Sequence, residues 1–237
     1  MANIAFIMMG GSGTRMGGDI PKQYVEIEGH PVFWHIARAY LMAEPIQSIC
    51  IVSNGEWIDF TNDAIKDLER IGKDIAVTKG GEHRSESVRN ALIAIKSKAN
   101  SEDVIMIHDA THPYLDTKIL QNLIDATNQY GGATVGMRQY DTCYGIDKND
   151  ILTRVIPRRE VISGASPECF HYGDLCDIYF NADKTELERM TSAGAIALAH
   201  NIPMKVISTD ILNLKLTYPS DMELYRLLTN KYFFEQD

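Results

Sequence analysis

Apolar and polar positions follow two rhythms along the first 140 residues. Short runs that are apolar on both faces and end in glycine or polar residues predict buried strands. They occupy 4–9 (IAFIMM), 48–54 (SICIVSN), 74–80 (DIAVTKG), 103–110 (DVIMIHDA) and 133–139 (ATVGMRQ). Between them the sequence reads as helix. Residues 31–42 open with Pro31, 57–71 carry Ile58, Ile65 and Leu68, and 85–98 carry Val88, Leu92 and Ile95 at helical spacing. Residues 116–130 follow, with Asp116 as the expected cap. This alternation predicts right-handed βαβ units in an α/β fold: a Rossmann-like, mostly parallel sheet flanked by helices.

In such sheets ligands bind beyond the carboxyl ends of the strands. Loops 10–24, 80–87 and 109–115 are therefore the candidate site. The rhythm breaks at 140–168, where the turn-rich GIDKND lies between strand-like flanks and predicts a projecting β-hairpin. Helical segments are predicted near 172–180 and 186–200, strands at 204–209 and 212–217, and a closing helix at 219–230. The expected organisation is one domain over 1–237, with 140–168 as an inserted arm.

The first loop, MMGGSGTRMGGDIPKQY (8–24), crowds Gly10, Gly11, Gly13, Gly17 and Gly18 beside Arg15 and Lys22. Glycine is costly in conformational entropy, so such a loop points to close backbone approach. A GxGxxG fingerprint fails because Met16 stands at the third glycine. A P-loop fails because Asp19 stands where its lysine belongs. What remains is phosphate chemistry: loop amides near phosphate oxygens, a bidentate fork from Arg15, and a compact charge from Lys22.

Composition narrows the partners. The 237 residues are enough for one α/β domain with a sizeable core. Net charge is 23 − 32 = −9, which argues against a nucleic-acid or membrane surface. The apolar run 4–9 is far too short to span a bilayer, and no signal peptide precedes it. Cys50, Cys143, Cys169 and Cys176 form no CxxC pair, so neither a zinc site nor a disulfide framework is expected, and a reducing cytoplasm is. His108 and His112 are four apart, but they end a strand before Pro113, which argues against a helical zinc site.

Five motifs in order carry a resemblance: GGSGTRMGGDIPKQY (10–24), GGEHRSESVRNAL (80–92), IHDATHPYL (107–115), SPECF (166–170) and NLKLT (213–217). Together they resemble the cytidylyltransferases that activate polyol and sugar-like phosphates. The family includes a ribitol-5-phosphate branch and a 2-C-methyl-D-erythritol 4-phosphate branch. GEWIDF (55–60), VIPRRE (155–160) and NLKLT resemble the ribitol branch more, so CDP-ribitol is the expected product, with the methylerythritol branch as alternative. A nucleotide-binding paralogue without catalysis is a third reading.

The resemblance implies attack of an acceptor phosphate on the α-phosphorus of CTP, with Mg2+ present. It assigns Arg15, Lys22 and Lys215 to the triphosphate and transition state. Gly10, Gly11, Ser12, Gly13, Gly80, Gly81, Glu82 and Ser87 fall to the nucleotide. Ser87 could equally serve as a hydroxyl at a helix start. Asp109 falls beside metal and acceptor, though aspartate is also a common turn residue. Arg84 matches a motif arginine that braces its loop on a carboxylate. His112 and Ser166 fall at the acceptor. Thr142 and either Arg158 or Arg159, Arg158 preferred, reach a partner's acceptor site from the dimerising arm. The family pattern has arginine at 112, threonine at 166 and glutamine at 168; here stand His112, Ser166 and Glu168.

Overall fold

The structure is a computed structural model that describes residues 1–11, 20–189, 192–209 and 211–229. Strand β1 (Asn3–Met9) leads through the short antiparallel pair β2 (Glu26–Ile27) and β3 (His30–Pro31) into helix α1 (Val32–Met42). Then come β4 (Ser48–Ser53), α2 (Ile58–Ala64), β5 (Asp74–Lys79), α3 (Arg84–Ile95), β6 (Val104–Asp109) and α4 (Leu120–Tyr130). β7 (Gly132–Arg138), a two-stranded ribbon of β8 (Cys143–Ile146) and β9 (Leu152–Ile156), and the long β10 (Ile162–His171) follow. The last elements are α5 (Tyr172–Asn181), α6 (Lys184–Arg189), α7 (Ala193–Ala199), β11 (Met204–Ile207) and α8 (Pro219–Thr229).

Seven strands form one sheet in the order β11-β7-β10-β6-β1-β4-β5. All neighbours pair in parallel except β10, which runs antiparallel to both β6 and β7. β1 lies between β6 and β4, which explains its unbroken apolar run. Ala5, Ile7 and Met9 enter one core with α1 and α4; Ile4, Phe6 and Met8 enter the other with α3, α5 and α7. Strand order reverses at β1, since β4 and β5 lie on one side and β6 on the other. Loops leaving β1 and β6 therefore flank the crevice where ligands bind in such sheets.

Four expectations change. The helix expected over 57–71 is α2 followed by a tight 3-10 turn at Leu68–Ile71. The Thr61 hydroxyl donates to the Trp57 carbonyl, and Gly72 ends the turn at φ +81°. The helix expected over 186–200 is split into α6 and α7, with Ser192 capping α7 by accepting the Ala195 N–H. Residues 212–217 join no ladder. Leu214 and Leu216 alternate because both are buried with Ile27, Val32, Tyr114, Met222 and Tyr225. Finally, the projecting ribbon is β8–β9, turned at Asp147, whose side chain accepts the Asn149 and Ile151 N–H groups. Residues 162–165 are not arm: they pair with 135–138 of β7, and a bulge follows before Glu168 rejoins the ladder. Among the described residues no helix is long and apolar enough to cross a membrane.

Candidate active site

Three backbone segments converge where the nucleotide was expected. A Cβ on Gly80 would stand 3.0 Å from Ser87 Oγ and 3.1 Å from Gly10 Cα. One on Gly10 would stand 3.1 Å from the same Oγ. Side chains would wedge these segments apart, so glycine is required for the approach rather than for a turn. Ser87 Oγ accepts the Gly81 N–H (3.0 Å) and donates to the His83 carbonyl (3.1 Å). Glu86 accepts the Glu82 N–H at 2.8 Å, closing the loop at the start of α3; the Glu82 side chain itself points to solvent. Gly11 is exposed at the mouth of the loop. Ser12, Gly13 and Arg15 lie outside the described residues.

Residues after the glycine loop hold it. Pro21 sets an extended backbone before the turn Lys22–Tyr24, and all three turn residues are buried. Gln23 Nε2 donates to the Met9 and Gly11 carbonyls at 3.0 and 2.8 Å. Tyr24 stacks on Trp57, shares a hydrogen bond with Ser53, and accepts the Asn54 N–H. Gln23 and Tyr24 were missed as site residues, although PKQY placed them beside Lys22.

Lys22, 193 positions before Lys215, reaches the residue that follows it. Lys22 Nζ donates to the Leu216 carbonyl, and the Leu216 N–H donates to the Thr111 carbonyl at 2.7 Å. This ties the first loop, the β6 loop and the 213–217 segment together. Lys215 is exposed, and its charge acts on both Asp109 and His112.

Asp109 ends β6. Arg84 Nε and Nη2 donate to its Oδ1 at 3.2 and 3.0 Å, as the brace expected of Arg84. Burial opposes ionisation of Asp109, but Arg84 outweighs it, with Lys215 assisting, and the carboxyl titrates below its ordinary range. Arg84 also faces Glu168 at 3.6 Å. Glu168 accepts the Ala193 and Gly194 N–H groups at 3.0 and 2.9 Å, so its charge, raised in pKa by burial, is spent on α7 and Arg84. Among the described residues no three His, Cys, Asp or Glu side chains cluster as a metal cage. Asp109, at the edge where phosphates are expected, suits Mg2+, which is commonly held by one or two carboxylates plus substrate phosphates. His108 offers no free nitrogen: Nδ1 meets Tyr40 and Nε2 meets the His112 carbonyl.

On the acceptor side, Ser166 Oγ accepts the Asp109 N–H (3.1 Å) and meets His112 Nδ1 (3.0 Å). Burial, then His108 and Lys215, push His112 down to about 4, so near neutral pH it is uncharged, unlike the arginine of the family pattern. Thr142, Arg158 and Arg159 are exposed on or beside the ribbon and are not joined to this cluster. Arg158 donates to the Tyr140 carbonyl at 2.5 Å, while Arg159 pairs with Glu160 at 3.5 Å. Arg158 thus lies against the segment that carries Thr142.

The family model described as "IspD: 2-C-methyl-D-erythritol 4-phosphate cytidylyltransferase" matches residues 3–230. The chain is 29% identical over 232 residues to the 2-C-methyl-D-erythritol 4-phosphate cytidylyltransferase of Thermotoga neapolitana, covering 97% of this chain and 98% of the relative. A solved 4-diphosphocytidyl-2C-methyl-D-erythritol synthase superposes with a TM-score of 0.76 at 26% identity, covering 96% and 99% of the two chains. The synthase of Anaerococcus prevotii shares the fold, with a TM-score of 0.79 at 17% identity over 97% and 96%.

Proposed function

The chain belongs to the IspD family of CTP-dependent cytidylyltransferases, and we propose that its acceptor is 2-C-methyl-D-erythritol 4-phosphate. The relatives' names favour this branch over the ribitol-phosphate branch that residues 55–60, 155–160 and 213–217 had suggested. The observation that carries the reading is that Lys22 is bonded to the 215–216 segment and the Lys215 charge acts on Asp109, whose brace Arg84 lies on the same helix as Ser87 of the Gly10–Gly80–Ser87 cradle.

In this reading an oxygen of the acceptor phosphate attacks the α-phosphorus of CTP. The bond from that phosphorus to the bridging oxygen of the β-phosphate breaks, and pyrophosphate leaves. The protein forms no covalent bond; it positions two polyanions and neutralises charge. Backbone at Gly10, Gly11, Gly80 and Gly81 lines the nucleotide cradle; the Gly80 and Gly81 N–H groups are held by the Ser53 carbonyl and Ser87 Oγ, which fixes the spacing of the segments. Lys22, Lys215 and Arg15 stabilise the crowded α-phosphoryl group. The Lys22 ammonium is already oriented by a backbone carbonyl, so little reorganisation is needed. When bound, Mg2+ would be held by Asp109 and the phosphates, and would draw charge from the transferred group. Neutral His112 and Ser166 offer hydrogen bonds to acceptor hydroxyls.

The ribbon completes the site from a second copy of the chain in this reading. Ile151 and Val155 are 62% and 64% exposed, with Tyr144, Ile146 and Leu152 beside them, an apolar surface that a partner would cover. Thr142 and Arg158 would then bind the partner's acceptor phosphate. Free thiols at Cys50, Cys143, Cys169 and Cys176 support a reducing compartment such as the cytoplasm.

Incubation with CTP, Mg2+ and a panel of polyol and sugar phosphates tests the proposal. Pyrophosphate should appear with methylerythritol phosphate, and Lys22→Ala should slow it roughly 10²–10³-fold. Tight CTP binding without turnover of any acceptor would instead favour a binding protein.

A further inference from the structure

We propose that His108, locked in one tautomer by Tyr40, is a positioning residue that sets the acceptor loop from within the core. The inference rests on the acceptor site proposed above. Tyr40 on α1 and His108 on β6 are fully buried. The Tyr40 hydroxyl lies 2.9 Å from His108 Nδ1, and His108 Nε2 lies 2.8 Å from the His112 carbonyl oxygen. A carbonyl can only accept, so Nε2 carries the proton. The fully buried ring is bonded to a phenol and a carbonyl rather than to a carboxylate, and burying an unpaired charge is costly, so the ring is neutral. Nδ1 therefore presents a lone pair, and the Tyr40 hydroxyl must donate to it. The two bonds run in one direction, from helix α1 through the sheet into the loop after β6.

That loop is the acceptor side of the site. The His112 N–H donates to the Asp109 carbonyl, its ring meets Ser166, and Thr111 receives the Leu216 N–H beside Lys215. With the other tautomer, Nε2 would turn a lone pair on the His112 carbonyl, and the Tyr40 proton would lose its acceptor. A buried carbonyl without a donor is unfavourable, so the loop would shift to find one. Asp109 and His112 would move with it, whereas the Gly10–Gly80–Ser87 cradle, on other segments, would not.

Tyr40→Phe removes the donor and keeps the ring. The expected result is a fall of about 3–10-fold in kcat/KM for the acceptor, the equivalent of one hydrogen bond, with KM for CTP unchanged. His108→Gln, whose amide can still donate to the carbonyl, should recover most of the activity; His108→Leu should not. Nitrogen-15 spectra of the histidine rings in the wild type should show His108 protonated at Nε2 alone. A proton on Nδ1, or equal losses for CTP and acceptor in Tyr40→Phe, would overturn the proposal. If Tyr40→Phe fails to fold, the wild-type tautomer and the Gln–Leu contrast at His108 decide. If the wild type turns over no acceptor, the proposed function fails instead, and the tether is judged by the tautomer and by amide shifts at 109–112 in Tyr40→Phe.

Discussion

Arg84 grips Asp109 through two nitrogens on one carboxylate oxygen, Nε at 3.2 Å and Nη2 at 3.0 Å. The pair is partly buried, with side-chain exposures of 26% and 29%, and Glu168 stands 3.6 Å from the same Nη2. Lysine has one point charge and cannot reproduce the fork. Arg84→Lys is predicted to cost about 1–3 kcal/mol of stability, between the ranges for exposed and fully buried pairs. The Asp109 pKa should rise as well. Urea unfolding and a carboxyl-selective NMR titration check the two parts; an unmoved Asp109 would show that Arg84 is not its main partner.

Gly80→Ala places a methyl 3.0 Å from Ser87 Oγ and 3.1 Å from backbone at Gly10. The backbone contact cannot rotate away, so the cradle must open. CTP affinity is predicted to drop at least about tenfold, the scale of a net hydrogen bond, with acceptor KM little changed at saturating CTP. Calorimetric titration with CTP measures it, and wild-type affinity would contradict the close-approach account.

Stability should fall on acidification across a defined window. Burial depresses both His108 and His112 to about 4, whereas in the unfolded chain they titrate near 6.5. Between these values the unfolded chain binds more protons, so acid favours unfolding. The protection is complete above about 6.5 and declines as pH falls through the window toward 4. Unfolding by urea at stepped pH should show this slope, and His108→Gln should reduce it by about one proton. A flat profile from 6.5 to 4 would contradict burial of the two neutral rings.

If Thr142 and Arg158 act on a partner's site, two defective chains should rescue one another. Lys22→Ala and Arg158→Ala homodimers are each predicted to be weakly active. In the mixed dimer one site keeps its own Lys22 and receives an intact Arg158. A mixed dimer should have half the activity of the wild type, so random exchange, which makes about half of the dimers mixed, should return the pool toward about a quarter of it; no recovery despite proven exchange would place Arg158 outside the partner's site. Arg159, paired with Glu160, should tolerate alanine.

Legibility in the sequence followed sequence distance. β1 was readable because both its faces enter cores, which leaves only apolar residues from Ile4 to Met9. Gly10 was readable as a close-approach position and Gly80 came only with the family resemblance, while the group both approach, Ser87 Oγ, required the fold. Leu214 and Leu216 imitated a strand because alternation reports two-sided surroundings, not ladder bonds. The hairpin's return limb was misread because 162–165 leave the ribbon to join β7. Tyr40 meeting His108, Ser166 meeting Asp109, and Lys22 meeting Leu216 span 68, 57 and 194 positions. No local pattern encodes such contacts: the crossover from β5 to β6 sets His108 beside β1, the antiparallel return of β10 along β6 brings Ser166 to Asp109, and the 213–217 segment reaches Lys22 and Thr111 outside any ladder.

Cytidylyl transfer to a methylerythritol phosphate can be read directly from phosphorus signals. Phosphorus-31 NMR of the wild-type protein with CTP, Mg2+ and equal amounts of 2-C-methyl-D-erythritol 4-phosphate and ribitol 5-phosphate tests it in one tube. Loss of the CTP and methylerythritol phosphate signals in step with the growth of pyrophosphate and of a new diphosphate diester is expected, with ribitol phosphate untouched. Consumption of ribitol phosphate first, or CTP that stays intact with both acceptors present, would contradict it.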